Sequence, residues 1–153
     1  MNIYDVIKKD HREMSKLFET ALDCLPSNPE EAYRHFKVIK DELESHAKAE
    51  EEVLFHPLMS RLESYDAEAV VLEGEQEHHV FALLLKELSQ IDCHAPEWGA
   101  KLTVLSELVE HHVEEEERDI FPKAKEIFSG FETENMATEL VKTKAAMKTQ
   151  VDS

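Results

Sequence analysis

The stretch HHVEEEERDIFP, residues 111–122, sets two histidines against four consecutive glutamates and closes on Ile120, Phe121 and a proline. A second stretch, HAKAEEEVLFHP at residues 46–57, follows the same order: His46 or His112, three residues, a Glu-Glu pair, a phenylalanine nine positions after the histidine, then a proline. The prolines differ by one position. His46 and His112 are 66 residues apart, and His11 and His78 are 67 apart. The chain therefore reads as two copies of one helical hairpin, and two hairpins related by a pseudo-twofold make an all-α, up-down antiparallel four-helix bundle.

Composition agrees with that class. With 153 residues, three glycines and five prolines, the chain has one domain's length and few turn formers, and its Glu, Lys, Leu and Ala favour helix. A formal net charge of −17 repels nucleic-acid phosphate and anionic lipid, so neither nucleic acid nor membrane is an expected partner. The N-terminal MNIYDVIKKDHREM lacks the apolar core of a signal peptide, and no apolar run reaches membrane-spanning length. A soluble, cytoplasmic protein is the expectation. Cys24 and Cys93 have no CxxC spacing, which suggests neither a disulfide framework nor a thiolate metal site.

Periodicity places the helices. Ile7, His11, Met14, Phe18, Ala21 and Leu25 share one face of a first helix,. Asn28, Pro29 and Glu31 have the spacing of a capping box at the start of a second,. Its apolar stripe runs Ala32, Phe36, Ile39, Leu43, Val53, interrupted by His46 and Glu50, and Pro57 should bend or end it within a turn,. Asp66 can cap a third helix with Val71, His78, Phe81, Leu85 and Leu88 inward,. After CHAPEWG, a fourth carries Leu102, Leu105, Val109 and Ile120, interrupted by His112 and Glu116,. A short fifth helix is expected over about Glu132 to Lys148, with Met136, Leu140 and Ala145 inward, then a polar tail. The predicted division is a bundle over 1–128 and a C-terminal flank over 129–153.

The repeat also settles register. His11 is followed at +3, +6 and +7 by Met14, Leu17 and Phe18, and His78 by Phe81, Leu84 and Leu85, whereas His79 would have Lys86 at +7. His78 and His112 therefore face inward, His79 and His111 outward. A single histidine on an apolar face is most often a packed, hydrogen-bonded side chain. Here six polar residues, His11, His46, Glu50, His78, His112 and Glu116, each break a core pattern at matching places. One hypothesis explains all six: they hold metal. Residues four apart on a helix stack over one turn, so each His-x-x-x-Glu pair presents nitrogen and oxygen together. Two divalent cations would offset the several kcal/mol that burying each carboxylate costs. Imidazole with carboxylate and open positions suits iron, with zinc and manganese as alternatives.

Glu114, Glu115 and Glu117 read as a solvated acidic face, as do Glu51 and Glu52, although either of the latter two can orient a ligand histidine. His35, His56 and His94 read as structural or exposed.

The phrases DHREM, ESHAKAEEEVLFHPL, EHHVFALLLKEL and VEHHVEEEERDIFP, in that order, resemble the hemerythrin-like, or HHE cation-binding, family over residues from about 3 to 128. The resemblance implies a non-haem di-iron centre, oxo- or hydroxo-bridged, that binds dioxygen, nitric oxide or peroxide, or senses iron or oxygen. Oxygen-carrying hemerythrins have a further histidine one turn before the third-helix ligand, where this chain has Gly74. Glu75, or His79, can fill that coordination position, or it stays open. Three function classes follow: a small-molecule-binding di-iron protein with peroxidase-like or oxidase activity, a non-catalytic sensor acting through a protein partner, and a plain helical interaction module.

Overall fold

The computed structural model describes residues 1–152, with side chains through residue 148. The end of the expected polar tail lies outside the described residues. Among the described residues the chain is helical without strands. Helix α1 spans Ile3–Asp23, and α2, Pro29–Glu50, runs through a π-helical turn, Glu51–Phe55, into a last short turn, α3, His56–Met59. Helix α4 spans Tyr65–Gln90, and α5, Pro96–Glu115, passes through a second π-helical turn, Glu116–Ile120, into α6, Phe121–Ile127. Helix α7, Gly130–Asp152, is longer than the short helix expected from sequence.

The helix starts have local causes. Asn2 accepts from the Asp5 amide while the Asp5 carboxylate accepts from the Asn2 amide, a reciprocal capping box,. Asn28 caps α2 by accepting from the Glu31 amide, with Pro29 in the first turn. Glu31 does not complete the expected box: its carboxylate pairs with Arg34 and lies 3.4 Å from His35. Ser64, rather than Asp66, caps α4 by accepting from the Ala67 amide, which leaves Asp66 in the first turn, where its charge suits the helix dipole.

The two π turns share a cause with the prolines. A proline ring collides with the carbonyl four residues back and has no N–H to donate. The residue just before each proline, His56 or Phe121, donates its amide five residues back, to the carbonyl of Glu51 or Glu116. This wider turn carries the chain past the proline without breaking the rod. The first helix then ends within a turn, as expected, whereas the second continues to Ile127.

The buried side chains form two apolar clusters. One gathers Ile3, Tyr4 and Ile7 of α1 with Val53, Leu54, Phe55, Ile120 and Phe121. The other holds Met14, Phe18, Phe36, Leu43, Phe81 and Trp98. Between them every bundle helix switches to polar residues at one level: Ile7 gives way to His11 before Met14, Leu43 to His46 and Glu50 before Val53, Val71 to His78 before Phe81, and Val109 to His112 and Glu116 before Ile120. The polar layer is thus sealed above and below by hydrocarbon.

Helix α7 packs across α1 and α2, and Met136, Ala137 and Leu140 join the cluster of Ile3 and Tyr4. Ala145, expected inward, is exposed, and its neighbour Lys144 is the residue turned toward the bundle. At the opposite end Trp98 is fully buried and its indole N–H donates to the Leu88 carbonyl at 2.9 Å. Replacing it removes a large packed volume and orphans that carbonyl. Trp98→Ala is expected to lower unfolding free energy by about 3–5 kcal/mol, read from urea denaturation followed by far-ultraviolet circular dichroism.

Candidate metal centre

The polar layer contains all six residues anticipated from sequence. His11, His46, His78 and His112 are buried, and Glu50 and Glu116 are fully so. Glu50 lies between imidazoles of both hairpins, 3.5 Å from His46 Nε2 and 3.1 Å from His78 Nε2. Glu116 does the same, 3.5 Å from His112 Nε2 and 3.2 Å from His11 Nε2. Each hairpin therefore lends its glutamate to the other hairpin's first histidine. His78 Nε2 and His112 Nε2 also face each other at 3.2 Å.

These contacts are within ion-pairing distance, yet neither oxygen of Glu50 or Glu116 accepts a hydrogen bond within the protein. His11 Nε2 is likewise without one. A buried carboxylate lacking both donors and cation costs several kcal/mol. Nitrogens and anionic oxygens converging in this way make a donor set that fits a divalent cation. Two groups are close enough to share one each: Glu50, His78, His112 and Glu116, and His11, His46 and Glu50.

Each outward ring nitrogen faces a carboxylate, and those of His11, His46 and His112 are hydrogen-bonded to theirs. His11 Nδ1 meets Glu117 at 3.1 Å, His46 Nδ1 meets Asp10 at 3.0 Å, His78 Nδ1 meets Glu51 at 3.5 Å, and His112 Nδ1 meets Glu77 at 2.8 Å. A carboxylate on the far nitrogen fixes a ligand histidine's tautomer and leaves Nε2 free to face inward. Glu51 is the loosest of these partners: it stands at ion-pairing distance, and His78 Nδ1 has no hydrogen bond within the protein. Glu117 corrects the surface reading: it is half-buried and works on His11. Asp10 and Glu77 were missed from sequence. Their signal lay in the repeat, because each immediately precedes the first histidine of its hairpin.

Electrostatics shows how far carboxylates dominate the layer. Burial alone would disfavour the His46 imidazolium, but Glu50 and then Asp10 outweigh it and push its pKa up to about 10. His112 is likewise raised to about 10 against its burial, by Glu116 and Glu77. Burial would raise Glu50, yet His46 and His78 hold it well below the usual carboxylate range.

A cavity of about 20 Å³ lies beside the four imidazoles, walled by Met14, Phe81 and Val109. From the surface, a groove of about 470 Å³ between α2 and α4 reaches His78, with Ala47, Glu51, Glu75 and Ala82 along it. Glu75 and His79 do not enter the centre. Glu75 pairs with His56 at 3.1 Å toward the surface, and His79 is exposed. His111 is also exposed and pairs with Glu115 at 2.9 Å.

Residues 2–124 match the profile of the Hemerythrin HHE cation binding domain. The chain belongs to that hemerythrin HHE family. A protein of Nostoc sp. (strain PCC 7120 / SAG 25.82 / UTEX 2576) named DNA nickase is 32% identical over 148 residues. The match covers 97% of this chain but 40% of that protein, so the chain spans about two fifths of its relative's length. In the crystal structure of a hemerythrin HHE cation-binding-domain protein, the homologue from Mycobacterium kansasii, the same fold recurs with a TM-score of 0.81 at 23% identity, covering 98% of this chain and 89% of that one. Metal binding is the property this family membership and the buried His/Glu cluster support together. No described helix is long and apolar enough to cross a membrane.

The packing around Gly74 leaves little room for a histidine one turn before His78 on α4. A Cβ there would lie 3.2 Å from Ile120 Cδ1 and 3.4 Å from the Phe55 ring, and that ring stacks on His78 at 5.3 Å between centroids. Hydrophobic groups fill the space. Gly74→His is therefore expected to lower stability by about 1–3 kcal/mol through overpacking, measured as a fall in melting temperature, and to leave metal stoichiometry unchanged.

Proposed function

We propose that this protein carries a non-haem di-iron centre that binds or senses a small molecule, dioxygen, peroxide or nitric oxide, with peroxidase-like or oxidase activity. His11, His46 and Glu50 would hold one iron and His78, His112 and Glu116 the second, with Glu50 and Glu116 each placed between imidazoles of both hairpins. The observation that carries this reading is the pair of fully buried carboxylates, free of hydrogen bonds and each set between imidazoles of both hairpins. Zinc or manganese satisfies the same donors, but imidazole and carboxylate together with open positions favour iron. Iron bound there supplies a Lewis-acidic, redox-active centre for a small ligand.

The chain's own residues set what reaches it. A cavity of about 20 Å³ admits about one water-sized group, since one probe sphere takes roughly 10–15 Å³. Met14, Phe81 and Val109 wall one part of that space and the four imidazoles and Asp10 the other, a small enclosure that suits a small ligand such as a diatomic molecule or peroxide over a bulky substrate. The groove along Ala47 and Ala82 is the approach to His78. The nickase activity of the longer relative is not carried to this chain: its net charge of −17 opposes a phosphate backbone. Nicking of supercoiled plasmid by the metal-loaded protein would reverse that.

A second reading, a non-catalytic iron or oxygen sensor acting through a protein partner, draws support from α7, which packs on the helices that carry His11 and His46. It expects limited proteolysis of α7 to differ between metal-loaded and metal-free forms.

Protein purified from iron-supplemented cells should contain about two irons per chain and show an oxo-bridge charge-transfer band. Glu116→Ala should lose both, because Glu116 serves two imidazoles at once. One zinc per chain, or no metal in either form, removes the di-iron reading while leaving the bundle intact. Ala82→Trp, which fills the groove, should slow removal of iron by a chelator without changing the metal content at equilibrium.

A further inference from the structure

The four outer carboxylates are not equivalent. Asp10 is the most enclosed, with 13% of its side chain exposed, against 23% for Glu51, 29% for Glu77 and 33% for Glu117. It is also the one held from behind by a lysine. Lys144 Nζ of α7 lies 3.2 Å from Asp10 Oδ1, while Asp10 Oδ2 takes His46 Nδ1 at 3.0 Å. The same ammonium lies 2.9 Å from Glu42 of α2, and Lys148 one turn later also pairs with Glu42. Among the described residues no lysine or arginine bridges Glu51, Glu77 or Glu117. Helix α7 therefore breaks the pseudo-twofold at the His11–His46 side of the centre.

We propose that Lys144 is a positioning residue for the metal position formed by His11, His46 and Glu50: it clamps Asp10 against His46, so that docking of α7 and metal occupancy at that position support each other. This rests on the metal-centre reading above. The clamp uses both oxygens of Asp10, one for the ammonium and one for the imidazole. Released from Lys144, a carboxylate at this edge turns toward water, and His46 loses the acceptor that fixes its ring. The charge of Lys144 is itself matched by Glu42, so the orientation of Asp10, more than the field of the lysine, is what reaches the metal. By linkage, whatever metal gains from a docked α7, the docked state gains equally from metal.

The test is anaerobic titration with iron(II) in competition with a chelator, on the full chain and with thermal melts alongside. Lys144→Met is expected to weaken one of two binding steps by about ten-fold, at the lower edge of the effect of removing an outer partner of a ligand histidine. Lys144→Arg should restore it to within about two-fold. Lys148→Met removes one contact with Glu42 but leaves the Lys144 pairs with Asp10 and Glu42 and the apolar seat of α7 in place, so α7 should stay docked and both steps should remain within about two-fold of the wild type. Hydrogen exchange over residues 140–148 should slow on iron loading in the wild type and not in Lys144→Met. Should Lys144→Met not fold, Lys144→Gln carries the same comparison. Unchanged or tighter binding in the lysine variant, or equal weakening in Lys144→Met and Lys148→Met, overturns the inference. A wild type that takes up no iron overturns the metal-centre reading, and this inference with it.

Discussion

Two carboxylates buried without hydrogen bonds are the constraint on which the rest of the bundle turns. A helix interior that places Glu50 and Glu116 at zero exposure must supply positive charge at that level, because lone ionised groups in hydrocarbon are too costly to keep. Everything nearby answers that need. Four imidazoles face the two glutamates, outer carboxylates hold those imidazoles in orientation, and apolar clusters on either side keep water from substituting for a cation. Electrostatic demand at one layer thus dictates residue type at several further positions.

The duplication is what lets so small a chain meet the demand. Each hairpin contributes a histidine preceded by an acid and a His-x-x-x-Glu followed by an acid, and the pseudo-twofold doubles the set. The copies are imperfect by one residue between glutamate and proline, and the π turns follow the prolines rather than the glutamates. They keep a constant distance to Pro57 and Pro122, beginning just after Glu50 in one hairpin and at Glu116 in the other. Single π turns within α-helices recur at functional sites. Here the physical reason is visible: an amide donating five residues back steers the chain past a proline while the glutamate keeps its inward face.

Much of this was legible from residue order. Every residue read onto the apolar stripes of α2, α4 and α5 is buried, although Ser45, Ala47, Ala49 and Trp98 are buried as well and fell outside those stripes, and the internal repeat distinguished His78 from His79, and His112 from His111. What escaped was set by contacts between distant segments. Glu117 looked like one more solvated acid because nothing local says that His11, more than 100 residues earlier, lies against it. Asp10 and Glu77 act across to the second helix of their own hairpins, a relation that helical periodicity within one element does not carry. Lys144 reads as a surface lysine on a weakly patterned helix, and the eye picks Ala145 instead. Helix α7 has a narrow apolar contact, and part of its docking is ionic.

The exchange of glutamates between hairpins has a topological consequence. His11 and Glu116 stand near opposite ends of the bundle sequence, and His78 and Glu50 are joined across its middle loop. An ion gripped by such a pair is a cross-link, closing a loop of about 100 residues in the first case. Cross-links of that span restrict the unfolded chain far more than the folded one, and a covalent tie of equal length is worth about 4–5 kcal/mol. Each hairpin supplies two histidines and one glutamate, and the second glutamate beside each first histidine comes from the other hairpin, so only the assembled bundle presents the full set of donors. The centre is in this sense a lock on assembly of the two repeats, whatever chemistry it also performs.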